Sequence, residues 1–88
     1  MNDESFDKKF DIGDLIVILP KRKFPVVLRI GPGYVFSRIE NLEPGQIGII
    51  IESRLGHGAQ VWIKILTGNS ETGWVPYSMV DNVKKIKL

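Results

Sequence analysis

The sequence predicts an all-β chain, a small five-stranded barrel with a long β-hairpin excursion and one 3₁₀ turn. β-Branched residues dominate its apolar runs, LIVIL at 15–19, VVLRI at 26–30, IGIII at 47–51 and VWIKI at 61–65. Such side chains fit a pleated, half-buried surface. Glycine and proline punctuate the chain roughly every eight to twelve residues, the turn spacing of small barrels and sandwiches. No segment carries apolar residues at i, i+3, i+4 and i+7 over three turns, so helix is not expected.

Taken in order, the first strand runs from Asp14 to Leu19 and stops at Pro20, which removes a backbone donor. The excursion follows: FPVVLRI runs out, Gly31-Pro32-Gly33 turns the chain and YVFSRIE returns. Glycine on both sides of a proline suits a tight turn that pairs a positive φ with a fixed one. Leu42-Glu43-Pro44-Gly45 is a second turn, leading into a strand over 46–53. Leu55-Gly56-His57-Gly58-Ala59 closes a hairpin onto a strand over 60–66, and Thr67 to Thr72 is the next hairpin loop. Its residues tolerate left-handed geometry or hydrogen-bond their own backbone. Gly73 to Val75 is a short strand ended by Pro76, Tyr77-Ser78-Met79 is long enough only for a 3₁₀ turn, and Val80 to Val83 closes the barrel. No boundary falls inside 11–83; residues 1–10 form an acidic arm and 84–88 a basic tail.

Eighty-eight residues suffice for one domain and not for two. A chain of this size buries only about 60–65% of its unfolded surface, so its stability is expected to be modest. The absence of cysteine excludes disulfides, a thiolate nucleophile and cysteine-based metal sites. The start of the chain is acidic and lacks the basic and apolar regions of a secretory signal. Its longest apolar stretch, Ile47 to Ile51, is a strand's length and far below a membrane span. A soluble protein of a cytoplasm or a virion, with no membrane partner, is expected. The net charge of +2 is uneven: residues 1–14 hold five acids against two lysines, a balance of −3, which leaves +5 on the remainder. A basic body with an acidic arm suits nucleic acid, an acidic protein face or its own neighbour, and equally suits simple solubility.

From Leu42 onward the chain resembles the second half of a Src-homology-3 domain. LEPG stands where that family has its diverging turn. VWIKI takes the place of the strand that opens with paired tryptophans. GWVPYSMV, Gly73 to Val80, resembles the segment that leads through a proline into a 3₁₀ turn. The resemblance covers about 40 residues well and implies a fold rather than a function. Of the family's proline-peptide groove, Pro76 is present, whereas Val61 and Met79 stand at the ligand tryptophan and tyrosine positions. Lys21-Arg22-Lys23 stands where acids would meet a ligand's arginine, so recognition of proline-rich peptides is not expected. The sparse pattern of GDLI, GIIIE, GW and a closing valine is similar to small barrel proteins encoded by tailed bacteriophages. That likeness implies a virion component.

Nothing in the chain signals catalysis, a cofactor or a small-molecule substrate. His57 lies between glycines at a loop tip with no nucleophile or carboxylate beside it, so turn geometry explains it better than chemistry. Lys21, Arg22 and Lys23 with the ring of Phe24, together with Lys84 and Lys85, form a candidate phosphate-contacting surface of the kind in nucleic-acid-binding barrels, and Gly45 and Gly48 beside a strand resemble the KOW elements of ribosomal and transcription proteins. Glu40, Glu43 and Glu52 interrupt it. On alternation, Val61, Ile63 and Ile65 make the core face of their strand. Trp62 then shares the other face with Lys64 and is a partly exposed contact residue, and Trp74 is a second contact candidate. The excursion from Phe24 to Ile39 is unusually apolar for a loop, with Phe24, Val27, Tyr34 and Phe36 as its prominent groups. It either folds back over the barrel or inserts into a neighbouring subunit. The other strands look sufficient for a core, which favours insertion and a protein–protein interaction or assembly module, self-association included.

Overall fold

The computed structural model describes residues 11–19, 25–56 and 60–83. It is all-β: β1 Leu15–Ile18, β2 Val26–Arg29, β3 Arg38–Leu42, β4 Ile47–Leu55, β5 Val61–Thr67, β6 Thr72–Pro76 and β7 Val80–Asn82. A 3₁₀ turn at Tyr77–Met79 joins β6 to β7, as the Pro76 stop predicts. The strands form one antiparallel sheet in the order β3-β2-β6-β5-β4-β1-β7. The expected five-stranded barrel is therefore corrected to an open sheet of seven, in which β3 and β7 are edges that do not pair with each other. The hairpin accounts for the two additional strands. Rather than projecting, β2 pairs with β6 through Arg29 and Trp74, and β3 follows on β2 from Val26↔Leu42 to Arg29↔Arg38.

One core serves all seven strands, so the sheet is coiled on itself. Ile16 and Ile18 of β1, Val26 and Leu28 of β2, Leu42 of β3, Ile50, Ile63, Ile65, Val75 and Val80 form a single buried cluster. β4 bends to allow this: its register against β5 shifts by one residue between Ile50 and Glu52, an extra residue that increases local twist. The expectation that the other strands suffice for the core is also overturned, because Val26, Leu28 and Leu42 belong to the hairpin.

Local geometry follows the turn residues. In the Glu43–Gln46 turn, Gly45 has φ +93° and its amide donates to the Ile18 carbonyl, while the Gln46 amide donates to the Glu43 carbonyl. Gly31 departs from expectation. It is needed for space rather than positive φ, since a Cβ there would stand 2.5 Å from the Phe36 ring. At the other end of the sheet, Asn82 is buried and its Nδ2 donates to Asp14 Oδ2 at 3.0 Å, tying β7 to the start of β1. No helix among the described residues is long and apolar enough to cross a membrane.

Candidate functional site

The hairpin folds back at its tip. The Pro32 carbonyl comes so close to Gly56, at the end of β4, that a Cβ on Gly56 would meet it at 2.4 Å and the Trp62 ring at 2.7 Å. The Tyr34 ring stands edge-on against Trp62, with centroids 4.9 Å apart and planes at 75°. Arg29 secures the tip: its Nη1 donates to the carbonyls of Phe36 at 2.8 Å and Tyr34 at 3.2 Å, and its guanidinium lies 5.5 Å from the Tyr34 ring centroid. Trp62 is thereby 1% exposed, which corrects its expected role as a partly exposed contact. Alternation places Trp62 on the face opposite Ile63 correctly, but the tip covers that face. Trp74 is likewise buried, with the Arg54 guanidinium 5.6 Å from its ring centroid, so neither tryptophan is available as an open contact.

What the tip leaves outside is apolar. Ile30, Tyr34 and Val35 are 61%, 59% and 76% exposed, and Phe36 is 37% exposed despite its contact with Gly31. Beside them runs a groove of about 460 Å³ between the hairpin and the Pro76–Met79 segment. Its apolar lining includes Pro25, Val27, Pro76 and Met79, together with Tyr34. Val26, Arg29 and Arg38 are the other described residues of the lining, and among the described lining residues there is no carboxylate. Of the predicted contact residues, the fold thus brings Val27 and Tyr34 together at the groove, with Phe36 in the adjoining tip. Phe24, the Lys21-Arg22-Lys23 run, His57, Lys84 and Lys85 lie outside the described residues, as do the arm 1–10 and the tail 84–88.

Sequence reasoning missed Arg38, Pro25 and Met79 as partners in one site. Pairing across the strands sets Arg38 opposite Arg29, Arg29 opposite Trp74, Trp74 opposite Lys64 and Lys64 opposite Glu52. Directly opposed residues share a face, and opposed like charges repel. Arg29 spends its hydrogen bonds on the tip, and Arg38 has no ion-pair partner among the described residues. At the same hairpin, interaction with the Glu71 side chain, with burial and the Glu71 charge adding to it, raises the Glu40 pKa above its ordinary value.

A second apolar surface lies on the outside of β4. Ile47, Ile49 and Ile51 are exposed there, and Leu15 stands directly opposite Ile49 on β1. Alternation in a one-sided sheet ordinarily places polar residues at such positions. Among the described residues no three His, Cys, Asp or Glu side chains come together as a metal site would require. No protein-family model matches the chain, and no curated protein or solved structure matches it.

Proposed function

We propose that this protein is a non-enzymatic protein–protein interaction module that assembles with copies of itself, using the hairpin tip and its groove as the contact. The observation that carries this reading is the exposed tip, where Ile30, Tyr34, Val35 and Phe36 cluster beside an apolar groove. Contiguous exposed patches of this kind mark interaction sites. Burying them yields about 25 cal/mol per Å² of apolar surface, with Arg29 and Arg38 setting register more than strength. The outward isoleucines of β4 offer a further surface for the same purpose. As for the fold, the return of β7 to β1 and the insertion of a hairpin between β1 and β4 in the sequence support a Src-homology-3-like barrel. The bacteriophage likeness gives the reading its most concrete form, a structural protein of a virion, found there or in the cytoplasm where virions assemble.

The second reading, a nucleic-acid-binding barrel of KOW-like type, is favoured by the cross-strand row of Arg38, Arg29 and Lys64. Sedimentation over a range of protein concentrations, with DNA and RNA titrations at two salt concentrations, separates the two. The assembly reading expects concentration-dependent self-association. It also expects Val35→Asp to abolish that association while changing stability by no more than about 0.5 kcal/mol, as exposed substitutions usually do. A chain that stays monomeric overturns it, and a steeply salt-dependent nucleic-acid affinity would establish the alternative.

A further inference from the structure

We propose that the groove receives the acidic N-terminal segment of a second copy, Asp3-Glu4-Ser5-Phe6-Asp7. Phe6 would lie on the apolar floor, and the carboxylates would lie against Arg38 and Arg29. The inference rests on the assembly reading and supplies its partner chemistry. Among its described lining residues the groove presents two guanidinium groups and no carboxylate, on a row that continues to Lys64. Arg38 is exposed, opposite a like charge and without an ion-pair partner among the described residues. An anion placed there relieves the repulsion as well as forming a charge-assisted hydrogen bond.

The same groove is lined by Pro25, Val27, Pro76 and Met79, a surface for an apolar side chain. The ligand that fits therefore carries carboxylates on either side of one apolar group. Residues 3–7 do so, with three carboxylates around Phe6, and no other five-residue stretch of the chain holds three carboxylates. Stacked bases fit less well. The Tyr34 ring is engaged by Arg29 and Trp62 and both tryptophans are buried, so the described lining of the groove offers no unengaged ring for stacking.

Geometry assigns the segment to a second copy. The Leu19 amide donates to the Met79 carbonyl at 2.9 Å, so the far end of β1 adjoins the groove. The arm leaves from the near end, at Asp11. From Asp14 to Leu19 the strand advances about 17 Å. Phe6 stands five residues before Asp11, a reach of about 17 Å when fully extended. Within one copy the arm would have to reverse at Asp11 and be drawn straight merely to arrive at the rim, with no length left to lie along the groove.

The test uses the full chain and two variants, one with Arg38→Glu in the groove and one with Glu4→Lys and Phe6→Ser in the arm. Thermal melts check that each remains folded. Sedimentation is expected to show at least a tenfold weaker self-association for each variant than for the parent, and association of the parent should weaken as salt rises. Mixing the two variants is expected to restore a complex, because one keeps an intact arm and the other an intact groove. Failure of the mixture to associate would overturn docking between copies. Retention of parent-like association by both variants, with loss only in Val35→Asp, would overturn the arm while leaving the assembly reading standing. A parent that is monomeric at every concentration would overturn both.

Discussion

Replacing Gly56 by alanine probes the contact that shapes the site. The added Cβ would meet the Pro32 carbonyl oxygen at 2.4 Å and the Trp62 ring at 2.7 Å, where ordinary contact begins at 3.4 Å. The hairpin tip must therefore move by about 1 Å, since the backbone oxygen has no rotamer to escape into. Overpacking of this kind costs about 1–3 kcal/mol. Moving the tip also loosens the Tyr34–Trp62 edge contact, a pair worth about 0.5–1.5 kcal/mol beyond its buried area. A combined loss of about 2–4 kcal/mol lowers Tm by roughly 10–20 °C in a domain of this size. The assay is thermal and urea unfolding followed by tryptophan fluorescence. The emission maximum of the folded variant is expected to shift to the red as Trp62 gains water. A Tm within about 2 °C of the parent, with unchanged emission, would refute the docking of the tip and with it the origin of the groove.

Three other outcomes follow from the same structure. Asn82→Ala removes the side-chain amide that donates to Asp14 Oδ2, which keeps the Asp11 amide as a donor, and should cost about 0.5–1.5 kcal/mol in urea melts; a loss below the error of the melt would show that β7 does not depend on this tie. Gly45→Ala forces an alanine into φ +93° and should destabilise by about 1 kcal/mol, through strain alone because a Cβ there meets nothing within 4 Å. Glu40 binds its proton more tightly in the folded state. Its contribution to stability is therefore present below the ordinary carboxylate pKa and lost as pH rises through the raised value. Glu40→Gln should thus stabilise the protein at neutral pH and flatten the change in Tm between acid and neutral pH; an unaltered pH profile would contradict the influence of Glu71 on Glu40.

The strands were legible because their ends are written locally. Pro20 and Pro76 remove donors, Gly45 supplies its positive φ, and Tyr77 to Met79 leaves room only for a 3₁₀ turn. The shared groove position of Val27 and Tyr34 was partly legible from the density of apolar groups in the excursion. The burial of Trp62 was not, because alternation gives a side chain its face and not what covers that face; the cover comes from Pro32 and Tyr34, about 30 residues away in sequence. Nor could the pairing of Arg38 with Arg29 be read in advance. It depends on a register that shifts between Leu28 and Arg29, and one residue of slip moves a side chain to the opposite face. The joining of the hairpin to the sheet hinges on the pairing of Arg29 with Trp74, a non-local contact with no signal in either segment.

Whether the hairpin tip and its groove meet between copies is read residue by residue in a series of amide NMR spectra of the full chain, from dilute to concentrated solution. Progressive shifts or broadening are expected at the amides of Val27, Ile30, Gly31, Gly33 to Arg38, Tyr77 and Met79, together with those of Asp3 to Asp7, while Ile16, Ile63 and Val75 in the core stay fixed. Spectra that do not change with concentration, or changes confined to the isoleucines on the outside of β4, would contradict that contact.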